Sequence, residues 1–235
     1  METIAALRVR RLTWAGLGIV ATLACGLAAE NWAPRDNPHV SGLLAYLAAW
    51  LPMLAALTLA MKGNSFRQIV SYLGIRVHAM DIFWGLGLAC AARAADGYLQ
   101  ILLTGSTGLE SQPTLGAVVS GSTLVTGVVA PVIIAPLLEE FFFRGLIQRT
   151  LTELLRPRSA FARATVAVVV TSLVFAAIHV LLLARTPTEL AALAAGTFIF
   201  SVGAGIAAAA TSRLGAAMVG HVVFNGLGVW LTWPV

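Results

Sequence analysis

Apolar residues in this chain run in long, nearly unbroken stretches separated by short polar ones. A helix that crosses a bilayer needs about 20 such residues. Candidate spans run from about Leu12 to Ala29, Ser41 to Met61, Met80 to Leu103, Leu115 to Ile147, Ala164 to Leu183, Leu190 to Ala210 and Leu214 to Trp233. Between them lie a polar turn from Glu30 to Asn37, a basic loop or short interfacial helix from Lys62 to His78, and a Gly/Ser/Thr turn from Thr104 to Pro113. A basic loop follows from Arg149 to Arg163. The pattern predicts an all-α fold, a polytopic transmembrane helical bundle of about seven to eight helices. No internal repeat, low-complexity tract or second domain is visible.

Leu115 to Ile147 is longer than one crossing requires, because a helix rises about 1.5 Å per residue. Pro131 and Pro136 interrupt it. A kinked or partly re-entrant element is therefore expected just before Glu139. Broken backbone at membrane depth is tolerated where it lines a cavity.

Composition removes the soluble alternatives. The chain has 235 residues, 59% of them hydrophobic and 11% charged, with mean hydropathy +0.88. Soluble domains carry about 25% charged residues. The net charge of +5 does not point to nucleic acid. The basic residues are almost all Arg and gather at the ends of apolar runs, where topology and lipid headgroups explain them. Basic loops stay cytoplasmic. The basic N-terminus (Arg8, Arg10, Arg11), Lys62–Arg76, Arg149–Arg163 and Arg213 alternate with the poorly basic Glu30–Asn37, Thr104–Pro113 and Arg185–Glu189. With Leu115–Ile147 crossing once, this alternation predicts seven crossings, N-terminus inside and C-terminus outside, and the Arg-over-Lys, Ala-rich composition points to a bacterial cytoplasmic membrane. The first apolar run imitates a signal peptide, but with so many later spans it is expected to stay as an uncleaved helix. Cys25 and Cys90 read as small buried thiols, with no disulfide framework and no Cys-type zinc site.

Polar residues inside apolar runs are costly and usually functional. The run Leu137-Leu138-Glu139-Glu140-Phe141-Phe142-Phe143-Arg144 holds two carboxylates and a guanidinium. Glu140 and Arg144 are four apart and share a helix face, which suits an ion pair. Glu139 points about 100° away and has no obvious local partner. An unpaired buried carboxylate can serve as a general base. His179 is the one strongly polar residue of its span, with Phe175 one turn earlier. His221 and Asn225, one turn apart, share a face. Taken singly, each has a bland reading: a structural salt bridge, a packed histidine, an Asn joining two helices. Together they form an acidic pair, two His and an Asn on three different apolar helices. That is the arrangement expected of a site built between helices. Arg93 and Asp96 most simply pair with each other. Gly85, Gly87, Gly196, Gly203 and Gly205 suit close helix packing. Trp14, Trp32, Trp230 and Trp233 read as interfacial belt residues. His39 and His78 fall in loops without an assigned role.

Glu-Glu-x-x-x-Arg, Phe-x-x-x-His and His-x-x-x-Asn, in this order on apolar helices, resemble the CPBP family of intramembrane proteases. That family includes the Rce1-type CAAX prenyl endopeptidases and the bacterial Abi proteins. The resemblance covers about Leu115 to Val235. It implies N-terminal transmembrane helices over 1–114 and a catalytic transmembrane core over 115–235, within one integral membrane unit. It further implies that Glu139 activates a water with help from His179, that His221 and Asn225 stabilise the oxyanion, and that Glu140 and Arg144 complete the site. The implied activity is hydrolysis of a peptide bond in a membrane-associated or lipidated peptide or protein. Two His and a Glu also match the ligand set of one class of catalytic zinc site, which would make Glu139, His179 and His221 ligands. No His-Glu-x-x-His occurs, and the same residues support a metal-free route, so the cofactor expectation is none or zinc. The rival readings are a proton-coupled transporter, since intramembrane Glu and His also serve that work, and a non-catalytic scaffold or bacteriocin-immunity protein. Oligomeric state is not readable from the sequence.

Overall fold

The computed structural model describes residues 3–34, 36–109, 120–156, 158–184 and 186–233. Among them the chain forms eight helices. These are α1 (Ile4–Trp32), α2 (Pro38–Ala60), α3 (Phe66–Leu73), α4 (Ala79–Thr104), α5 (Gly121–Leu154), α6 (Ala160–Leu183), α7 (Pro187–Thr211) and α8 (Gly215–Leu231). The fold is all-α. Helices α1, α2, α5, α6 and α7 are long and apolar enough to cross a membrane. Helix α8 is apolar but spans 17 residues. Helix α4 has 26 residues, its apolar run interrupted by Arg93 and Asp96. The expected start of the fourth span at Leu115 lies outside the described residues.

Several helices extend beyond their apolar runs. Helix α1 begins at Ile4 and takes in Arg8, Arg10 and Arg11, and α5 continues through Arg149 to Leu154. Long basic side chains can end a membrane helix because their stems lie on apolar surface while their charges reach the interface. The starts follow from local chemistry. Asn37 accepts from Val40 N with Pro38 at the first helical position, Ser159 accepts from Ala162 N, and Thr186 forms a capping box with Glu189. Each such cap contributes about 1 kcal/mol. The basic segment after α2 contains the short helix α3, closed by Gly74 at φ +76°, a conformation only glycine adopts without strain. His39 does not lie in a loop. It sits in the first turn of α2, and its Nδ1 is 3.1 Å from Thr126 Oγ1 on α5. His78 is the N-cap residue of α4.

Helix α5 runs through the middle, touching α1, α2, α3, α6, α7 and α8. It is continuous from Gly121 to Leu154. Its excess length is absorbed by two π-helical stretches, Val125–Ile134 and Phe141–Gln148, which flank the glutamate pair. Such stretches are often found at functional sites. Helices α1 and α2 pack together, as do α6 with α7 and α4 with both α7 and α8. The largest core cluster joins Ala15, Met53, Phe142, Phe143, Leu146 and Phe175. Small residues permit the closest crossings. A Cβ on Gly85 would lie 2.7 Å from Val219 and 2.8 Å from the Gly220 nitrogen, so α4 meets α8 glycine to glycine. Gly87, expected to act likewise, has nothing within 4 Å. Cys25 and Cys90 are exposed on the bundle's outer face, not buried: α1 and α4 turn other residues inward. Trp32 and Trp230 are exposed, as belt residues should be, whereas Trp14 packs against the core.

Candidate active site

Glu140 is the most enclosed of the charged groups at the centre. It has no solvent exposure, and its Oε1 accepts from Arg144 Nη1 and from His221 Nδ1, both at 2.8 Å. The i,i+4 spacing on α5 sets the first contact. The second ties α8 to α5. Arg144 Nη2 donates onward to Ser201 Oγ at 2.8 Å and to the Ser201 carbonyl at 3.2 Å, which brings in α7. Its guanidinium also stands 4.8 Å from the centre of the Phe175 ring on α6. One buried ion pair thus holds four helices. A buried pair is not by itself stabilising, but removing one partner strands the other charge at a cost of about 3–5 kcal/mol.

Glu139 faces the other way, as the 100° step requires. Its Oε2 is 3.7 Å from His221 Nε2 and 4.0 Å from His179 Nε2. Neither distance is a direct hydrogen bond. Both imidazoles are fixed from behind. His179 Nδ1 lies 2.9 Å from the Phe175 carbonyl, which can only accept, so this nitrogen carries the proton. His221 Nδ1 donates to Glu140. Each ring therefore turns its Nε2 toward Glu139. Aromatic neighbours clamp the rings. Phe175 lies 4.2 Å from the His179 ring and 6.0 Å from that of His221, and Phe200 lies 4.6 Å from His221.

Asn225 stands one turn beyond His221, but its Nδ2 is committed to the Pro131 carbonyl at 2.8 Å. The local backbone explains why that carbonyl is free. In the π stretch, Ala135 N–H donates five residues back to Ala130. The next donor in that register would be residue 136, and Pro136 has no N–H. The carbonyl of Pro131 is released, and a buried carbonyl needs a partner. Asn225 supplies one hydrogen and keeps a second.

The site opens into a cavity of about 680 Å³. Glu139, Phe143 and His179 form one side, and Gly26, Tyr46 and Trp50 belong to the other. The cavity was expected among the helices carrying Glu139, His179 and His221. Instead α1 and α2 supply most of its wall, and α8 does not line it. The first hundred residues therefore do more than add membrane spans. Their small and aromatic positions left no polar signal that could have marked them. Ser201 and Pro131 were missed too, the first readable only as a lone hydroxyl in an apolar helix.

Residues 121–227 match the family model described as type II CAAX prenyl endopeptidase Rce1-like. Over these residues, somewhat under half of the chain, it is similar to the Rce1-like CAAX proteases. No curated protein and no solved structure matches it. The Rce1-like segment contains Glu139, Glu140, Arg144, His179, His221 and Asn225. A zinc would have to be held by Glu139, His179 and His221. Among the described residues no group of three or more His, Cys, Asp or Glu is placed to hold a metal ion.

Proposed function

We propose that this protein is an intramembrane endopeptidase that hydrolyses a peptide bond in a membrane-associated or lipidated peptide or protein. The observation that carries the reading is the approach of two oriented Nε2 atoms to one oxygen of Glu139, at 3.7 and 4.0 Å, on the wall of a cavity. Those gaps suit a water bridging the carboxylate and an imidazole. Glu139 takes a proton from that water as its oxygen attacks the scissile carbonyl. His179, with Nδ1–H held by Phe175, offers its Nε2 lone pair to the same water and fixes its direction. The tetrahedral intermediate then collapses, the C–N bond breaks, and Glu139 returns the proton to the leaving amine. The products are a carboxylate and an amine.

The oxyanion requires preorganised donors. Asn225 has one uncommitted N–H. His221 already donates from Nδ1, so a second donation from Nε2 requires the imidazolium. In that state Glu139, Glu140, Arg144 and His221 sum to zero charge, which suits a site away from water. Glu140 and Arg144 position His221 and do not touch substrate. The location proposed is a bacterial inner membrane with the N-terminus in the cytoplasm, an orientation supported by the positive-inside reading of the ends that carry Arg8, Arg67, Arg163 and Arg213.

The test compares new protein termini in membranes from cells expressing wild type, Glu139→Ala or His179→Ala at matched abundance. Termini present only with wild type establish proteolysis and name the substrate. Identical profiles from folded proteins would return the chain to a scaffold, immunity or transport role.

A further inference from the structure

We infer that substrate reaches Glu139 from the face of the membrane opposite the arginines, as an apolar segment of a protein or peptide lying on the non-cytoplasmic side or within the bilayer. The inference rests on the endopeptidase reading for what the cavity holds, and on the position of its lining for the direction. The cavity takes α1 from Thr22 to Ala33, α2 from Ser41 to Met53, and α6 from Ile178 to Leu183. Helix α1 starts at the basic end with Arg8 and Arg11, α2 returns there at Lys62, and α6 starts there with Arg163. Each of these three helices thus contributes mainly the part remote from its basic end, and α5 adds Ala135, Glu139 and Phe143 from its middle. Glu139, Phe143 and Met53 lie at the deep limit, and Ala33, Ser41 and Leu183 at the outer limit, where the helices end.

The lining contains no Lys or Arg, and Glu30 and Glu139 are its acidic members. The remainder is mostly Ala, Gly, Leu and aromatic side chains, which can desolvate an apolar segment but offer nothing to a charged one. The basic end has a cavity of its own, of about 310 Å³, walled by Arg149, Arg163 and Arg213. It reaches inward to Arg144 and Gln148 and includes neither Glu139 nor His179. The buried Glu140–Arg144 pair stands between the two, so a cytoplasmic approach ends behind the site rather than in front of it.

Accessibility can be read without any turnover. In a Cys25→Ser/Cys90→Ser background, Ala33→Cys, Ala45→Cys and Ala209→Cys report the outer mouth, the cavity and the basic end. Each variant is treated with a membrane-impermeant charged maleimide in spheroplasts and in inverted membrane vesicles. We expect Ala33→Cys and Ala45→Cys to label in spheroplasts, and Ala209→Cys only in inverted vesicles. Labelling of Ala45→Cys from inverted vesicles alone overturns the inference. Glu139-dependent termini supply the second arm: all of them in cytoplasmic segments overturns the direction while sustaining proteolysis. Outward labelling without any Glu139-dependent terminus sustains the opening and overturns the endopeptidase reading.

Discussion

Arg144 and His221 meet on a single oxygen: each donates to Oε1 of Glu140 at 2.8 Å, from α5 and α8 respectively. The guanidinium's structural role and the imidazole's orientation are therefore one arrangement. Arg144→Met should leave Glu140 charged and buried with only the His221 hydrogen bond to hold it, at a cost of up to about 3–5 kcal/mol. Ser201→Ala removes one bond to a charged group and should cost about 1.5–3 kcal/mol. Thermal melting in detergent ranks them. A melt unchanged in Arg144→Met would show that the pair does not hold the helices together.

The two glutamates should separate function from stability. Glu139 accepts no direct hydrogen bond from either histidine, at 3.7 and 4.0 Å, so Glu139→Gln should melt like the wild type. Its cleavage rate should fall by about 10²–10⁴-fold, the usual contribution of a positioned general base. Glu140→Gln should lower both. Equal melting losses in the two variants would contradict this division.

Pro136 and Asn225 form a pair with a genetic signature. Asn225→Ala strands the Pro131 carbonyl and should cost about 1–3 kcal/mol. Pro136→Ala restores an N–H in the register that can take this carbonyl, so the double variant should melt above Asn225→Ala alone. If Asn225 also serves the oxyanion, activity will not return with stability. Recovery of both would reduce Asn225 to a helix fastener.

Helix α4 grips α7 and α8 through one ion pair. Arg93 donates to Asp96 at 3.0 Å and to the Phe224 carbonyl at 2.5 Å, and its guanidinium lies 3.7 Å above the Phe224 ring. Glycines make the room: a Cβ at Gly196 would stand 2.3 Å from Asp96 Oδ1, and one at Gly228 would stand 2.7 Å from Arg93 Nη2. Gly196→Val should therefore destabilise, because the ion pair must move or break. Arg93→Met with Asp96→Leu should cost little beyond the lost bond to the Phe224 carbonyl, since apolar replacement of a whole ion pair withdrawn from water is often nearly neutral. Melting temperatures check both, and a double variant as unstable as Gly196→Val would mean the charges themselves are required.

Much of this was legible from charge against an apolar background. Glu139, Glu140, Arg144, His179 and His221 stand out because lipid tolerates few such residues, and the structure gathers all five. The pairing of Glu140 with Arg144, and of Arg93 with Asp96, followed from helical spacing. What sequence could not supply was backbone register. Pro131 and Pro136 suggested a kinked or partly re-entrant element, and what they did not reveal is that the helix runs on continuously through two π stretches. Cys25 and Cys90 were misplaced because a helix apolar all round gives no sign of which face turns inward. The cavity wall on α1 and α2 was silent for the same reason.

Helix α8 carries His221 into the site, yet its broadest packing is against α4, and the Arg93 grip and the Gly85–Gly220 crossing both belong to that contact. Helix α4 precedes residue 121, where the family match begins. The stretch that is recognisable by similarity is therefore shorter than the stretch that must fold together. Excised at its borders, the recognisable part would keep every reactive group and lose the neighbour that holds one of them in place.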